Sequence, residues 1–242
     1  MLIKTLLPSL LATLAAALPA PDLFAEGEME LFKRDAVLNA RDLELAEIHG
    51  INLTRMYKHA VIKRDDGDHF TVWVDKGFAP TEGPEEAPGK VKRQNARLAS
   101  GARFTSNPSH RDYCKEHDRH DITSASSPTT GGVEAIYRWA RDHDGYFHYG
   151  SDTTLGWRDL VVGGSNGGSN ARYRARLVDA NGSTFRIGSY DVRNDADWTR
   201  HRAKQFSGKW RAASYGSETC LYGGNGRGAR ANYEIVTYSG TV

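Results

Sequence analysis

The sequence predicts an α+β fold: a two-layer α/β sandwich whose antiparallel sheet carries two helices on one face. Three observations point to it. Apolar residues recur at helical spacing in residues 132–144 and 191–206. Short alternating segments lie between Gly- and Asn-rich loops and read as strands. The order helix, three strands, helix, two strands lacks a regular βαβ repeat and favours antiparallel pairing.

The first twenty residues, MLIKTLLPSLLATLAAALPA, join an early lysine to an apolar run and small residues. That pattern predicts a signal peptide over 1–20. The run is short for a membrane span, and no later segment qualifies. The expected localisation is secreted and extracellular, an oxidising setting in which two cysteines pair. Sequons at Asn52 and Asn181 predict glycosylation. Lys-Arg pairs ending at Arg34, Arg64 and Arg93 predict processing sites, since proteases need exposed chain. The last pair closes GFAPTEGPEEAPGKVKR, a Pro/Gly/Glu-rich linker. Before it, AVIKRDDGDHFTVWV reads as two strands about an Asp66-Gly67 turn. Residues 21–93 are therefore expected to be a pro-segment or loosely attached accessory region, and 94–242 the working module. The net charge of +2 is too small an excess to name an anionic partner, and no nucleic acid is expected.

The module begins near DYCKEHDRHD, whose Thr/Ser-rich sequel predicts a polar loop. In GVEAIYRWARDHD, Val133, Ile136, Tyr137 and Ala140 share one helical face. YFHYG, WRDLVVGG and ARYRARLV follow as strands. A second helix is predicted over DVRNDADWTRHRAKQF, with Val192, Ala196, Thr199, Ala203 and Phe206 as its buried stripe. Its aspartates lie early and its basic residues late, as the helix dipole favours, and Gly208 reads as its stop. GKWRAASYGSETCLY and ARANYEIVTYS read as the closing strands.

From Tyr113 onward this series resembles the fungal extracellular effector family with a necrosis-inducing-factor domain, related to killer-toxin-like proteins. The matching landmarks are YCKEH, DITSASSP, WARDHDGYFHY, LVVGG, RIGSYDVRNDADWTRHRAKQF and GKWRAASYGSETC, in that order. They span about residues 113–238 and mark a divergent member. Lys115 and His117 stand where the family usually has Gly and Ser. The family's inner cysteine pair is also missing, one member near Gly132 and the other in the GSNARYR stretch. The outer pair remains as Cys114 and Cys220. The resemblance implies action outside the producing cell, on a host or a competitor, by recognition of a membrane component, receptor or wall polymer. It implies no cofactor and no catalytic residues, and a monomer is expected.

Cys114 has acidic neighbours that discourage a thiolate, and Cys220 is its one possible partner, so a Cys114–Cys220 disulfide is expected. Closing a loop of roughly a hundred residues contributes about 4–5 kcal/mol. His117 and His120 with Asp118 and Asp121 could meet a metal on one helical turn, but a solvated loop is favoured and no metal is expected. Arg172, Arg174 and Arg176 alternate with apolar residues, which places three cations on one strand face as a candidate binding patch. Trp157, Trp198 and Trp210 are candidate sugar platforms or core residues. The alternative is a small secreted hydrolase such as a ribonuclease. It would draw on His143, His148 or His201 with Glu134 or Glu218, though no spacing selects a pair.

Overall fold

The computed structural model describes residues 28–63, 69–80, 113–149, 156–178, 185–222 and 227–238. The expected signal peptide, the Asp66-Gly67 turn, Arg64, Arg93 and Asn181 lie outside them, as does the expected linker from residue 81 onward; its start is not a linker, since Phe78–Pro80 form a paired strand. Among the described residues no helix is long and apolar enough to cross a membrane.

The chain runs β1 (Met29–Leu31), α1 (Ala40–Ile48), β2 (Met56–Lys63), β3 (His69–Asp75) and β4 (Phe78–Pro80). Next come β5 (Cys114–Asp121), α2 (Thr130–Asp142), β6 (Gly145–Tyr149), β7 (Arg158–Ser165) and β8 (Asn170–Leu177). It closes with β9 (Phe185–Gly188), α3 (Ser189–Arg200), β10 (Lys204–Phe206), β11 (Lys209–Arg211), β12 (Ser214–Tyr222) and β13 (Arg227–Val236). The class is α+β with a mostly antiparallel sheet, as expected.

One sheet takes eleven of these strands in the order β1-β2-β3-β7-β8-β13-β12-β9-β6-β4, with β5 on the second edge of β12. β3 stands third in that order and β4 last, yet Lys76 and Gly77 alone join them. The sheet must therefore curl back on itself, and its inner face wraps α2 and α3. Val133, Ile136 and Trp139 of α2 and Val192 and Ala196 of α3 share one apolar cluster with Val72, Val74, Tyr173, Tyr233 and Ile235. Trp73 and Val162 point the other way, as strand alternation requires, and pack with Leu45 and Ala46 of α1. This helix escaped the sequence pattern and lies on the opposite face from the other two.

The expected division at residue 93 needs correction. β3 pairs with β7 through five register positions, from Phe70↔Ser165 to Val74↔Val161. Tyr57, Ile62, Phe70 and Phe78 sit in the same cluster as the module's own helices. The described residues between 28 and 80 are thus part of the sheet and its core rather than a loosely attached accessory.

Two local expectations also change. The second helix ends at Arg200 rather than reaching Phe206. The chain then turns into the β10–β11 hairpin, where Phe206 opposes Lys209. Ser207 and Gly208 both take positive φ, 48° and 78°, the geometry of a two-residue primed turn. Gly208 therefore turns a hairpin and does not stop a helix. DYCKEHDRHD, expected as a loop, supplies β5, paired with β12 from Ser214↔Asp121 to Cys220↔Cys114.

Candidate recognition face and buried polar centre

Cys114 and Cys220 are direct partners across β5 and β12 and form the disulfide, with Cα atoms 3.9 Å apart. Three residues on, the pairing shifts. Lys115 opposes Thr219 and Asp118 opposes Ser217, so Glu116 and His117 together face Glu218. Glu116 absorbs this bulge with φ 57°. A bulge reverses the alternation that follows it. Cys114 and His117 therefore both point inward, while Asp118 and His120 point outward. The two histidines that the sequence grouped as possible co-ligands lie on opposite faces.

Inward, His117 enters a polar centre beneath α3. Its Nδ1 lies 3.4 Å from Asp195 and 3.2 Å from Glu218 Oε2, an ion contact rather than an in-line hydrogen bond. Arg119 Nε donates to Asp195 Oδ1 at 2.8 Å. The Tyr173 hydroxyl donates to Asp195 Oδ2 at 3.0 Å and reaches Glu218 Oε1 at 3.4 Å. Asp195 and Glu218 are buried, at 0% and 1% exposure. Burial pulls the His117 pKa down, but the Asp195 and Glu218 carboxylates beside it outweigh burial and raise it to about 10. Burial, then the Asp195 charge, raises the Glu218 carboxyl, opposed by His117 and Arg119.

His117, Asp195 and Glu218 each offer a ligand atom within 4.8 Å of the others, a spread that a metal could bridge. Yet Arg119 already holds Asp195 Oδ1. Imidazolium and guanidinium together balance the two carboxylates, so the charges close without an ion. The centre serves as a joint among β5, β12 and α3. Asp191 strengthens it: this α3 residue accepts from the backbone N–H of Gly188, Tyr113 and Cys114, tying the helix start to the start of β5.

Outward, strands β8, β13, β12 and β5 present a trough of about 310 Å³. Tyr215 and His120 stack at its floor, with ring centroids 4.7 Å apart and planes 18° from parallel. Trp157 lines it, with Arg176 at 4.7 Å from the ring centroid. Arg230, Asn232, Glu234 and Asp118 add hydrogen-bonding groups of both charges. Exposed rings beside polar side chains suit a ligand with apolar faces and hydroxyl edges.

The expected arginine patch changes character here. Arg172 is buried at 4% exposure, ion-paired with Asp159 and packed over the Tyr238 ring. Arg174 pairs with Glu234 at 2.6 Å across β8 and β13. Both are neutralised where they stand, so the three residues do not make a cationic stripe. Arg176 alone of them lines the trough. Of the other predicted positions, Asn52 is exposed and Arg34 lies in an exposed turn. The hydrolase candidates do not converge. His143 Nδ1 contacts Trp139 O, His201 sits beside Asp197, Glu134 pairs with Arg200, and Glu218 is buried with His117. No protein-family model matches this chain, and no curated protein matches it.

Proposed function

We propose that this chain is a secreted, disulfide-stapled effector or toxin-like protein that acts outside the cell by non-catalytic surface recognition. In this reading it is a divergent member of the fungal effector family with a necrosis-inducing-factor domain. Its module is a two-layer α/β sandwich, and its target is a wall polysaccharide of a host or competitor. The observation that carries the reading is the trough on the outer face of β8, β13, β12 and β5, where the stacked rings and Trp157 stand among polar side chains. The α1 cluster covers β2, β3 and β7 and leaves these four strands outside it. The motif order from Tyr113 onward and the outer disulfide support the family assignment. So does the meeting of Gly132 with Ala171 of the GSNARYR stretch, because it brings together the two regions in which the family's inner cysteines are missing.

Co-sedimentation with insoluble β-glucan, chitin and pectate tests the proposal. The intact protein is expected to pellet with at least one polymer, and Trp157→Ala or Tyr215→Ala to weaken binding about fivefold or more, the scale of one lost stacking contact of about 1–3 kcal/mol. Equal binding by both variants would remove the trough from consideration. Digestion of RNA abolished by His143→Ala or His201→Ala would favour the hydrolase instead.

A further inference from the structure

A second pocket lies at the other end of the molecule, where the β1–α1 connection meets β2 and the β3–β4 turn. It encloses about 150 Å³, and its lining includes Lys33, Arg34, Lys58 and Lys76 but no carboxylate. Three of these cations are held in place. Arg34 donates to Phe78 O at 2.7 Å and lies 5.6 Å above the Tyr57 ring. Lys76 Nζ donates to Leu53 O at 2.7 Å and Thr54 O at 3.3 Å. Lys58 is buried, pairs with Asp42 at 2.7 Å and lies 3.9 Å from the Phe32 ring centroid. Asp42 cancels Lys58 alone. The carbonyls that hold Arg34 and Lys76 carry no net charge, so both remain uncompensated by them, and Lys33 adds a third positive charge.

Three uncompensated cations around a small concavity attract an anion, and the two already anchored, Arg34 and Lys76, lose little freedom on binding it. Pockets for drug-sized ligands run to about 300 Å³ and above. This one accepts an anionic head group rather than a polymer. The Arg34 fork and two ammonium groups surround the site as separate donors, which suits the several oxygens of a tetrahedral oxyanion better than one planar carboxylate.

We infer that this pocket binds a phosphate or sulfate group, either as the free ion or as a small ester. The site is independent of the trough and does not rest on the function proposed above. It gives a binding role to the β1–α1 connection, β2 and the β3–β4 turn.

The test is titration of the full mature protein with sodium phosphate, sodium sulfate and sodium acetate at constant ionic strength, followed by backbone amide shifts. Saturable shifts clustered at residues 33–34, 57–58 and 76–77 are expected with phosphate, sulfate or both. Shifts with phosphate alone would assign the pocket to phosphate, and with sulfate alone to sulfate; tighter binding of a methyl ester of that anion than of the anion itself would mark the ester as the ligand, and the reverse the free ion. Lys33→Gln, an exposed change that leaves the fold intact, is expected to weaken binding at least threefold, as is Lys76→Gln. Lys33→Arg should restore it. The inference is overturned if neither phosphate nor sulfate produces saturable shifts there, if acetate produces the same shifts, or if both Gln variants bind as tightly as the parent.

Discussion

His117 faces Glu218 across the β5–β12 pair at 3.2 Å, and it does so because the bulge at Glu116 turns it inward. Its pKa stands near 10 in the folded protein, against about 6.5 in an open chain. A raised folded pKa stabilises fully below the unfolded value and loses that contribution as pH rises through the folded one. Unfolding free energy should therefore decline between about pH 6.5 and pH 10, by on the order of a few kcal/mol. Urea titrations at pH 6, 8 and 10 measure the slope. His117→Gln is expected to be less stable at pH 6 and flatter across the window. An unchanged slope in that variant would show that His117 does not carry the charge.

On the acid side His59 acts in the opposite direction. Its Nδ1 accepts the Trp139 indole N–H at 2.7 Å, which requires that nitrogen to be unprotonated. Burial first, then the nearby His143 and Arg34 charges, lower its pKa to about 4. Its contribution is thus complete above about pH 6.5 and lost as pH falls toward 4. Stability measured at pH 7, 5.5 and 4 should drop, while the Trp139 fluorescence of the folded protein should change only near pH 4, where His59 takes up its proton. His59→Gln, which keeps an acceptor for the indole, should flatten the drop while preserving the fold.

The Cys114–Cys220 bridge spans 106 positions of sequence. Loop closure of that length contributes about 4–5 kcal/mol by the chain-entropy model. Paired replacement Cys114→Ser with Cys220→Ser should lower the melting temperature by roughly 10–15 °C for a chain of this size. Reduction of the parent should reproduce the shift. A change of only a degree or two would mean that the β5–β12 ladder and the centre below it hold the strands without the bond.

Much of this architecture was legible in the sequence where one local rule acted alone. Val133, Ile136 and Ala140 marked α2 because their apolar spacing follows the helical period, and the apolar runs AVIK and HFTVWV marked β2 and β3. Cys114 had a single possible partner. The failures have local causes. Ala203 and Phe206 continue the helical spacing of α3 past its end, although Ser207-Gly208 already forms a hairpin turn. β5 hid because the Glu116 bulge puts Cys114 and His117 on the same face three residues apart, breaking the period of two. α1 did carry a signal: Asn39 and Asp42 form its capping box. The trough and the polar centre could not be read, since each draws on segments that are adjacent only once the sheet has formed.

Gly132 in α2 and Ala171 in β8 meet back to back. A Cβ placed on Gly132 would lie 3.0 Å from the Ala171 Cβ and 2.7 Å from its amide nitrogen. The approach is two-sided, because a Cβ on Gly163 would come within 2.5 Å of Gly132 O. Neither contact ends on a flexible side chain, so Gly132→Ala should destabilise by about 1–3 kcal/mol through overpacking. The same closeness makes a covalent test of the proposed family kinship. Cysteines bridge when their Cβ atoms are about 3.5–4.5 Å apart, so Gly132→Cys with Ala171→Cys needs a shift of only about half an ångström to form a second disulfide. Intact mass should then show the loss of two further hydrogens, and melting should recover part of the Gly132→Ala deficit. If both new thiols react with iodoacetamide in folded, unreduced protein, the two positions do not correspond to the missing cysteine pair.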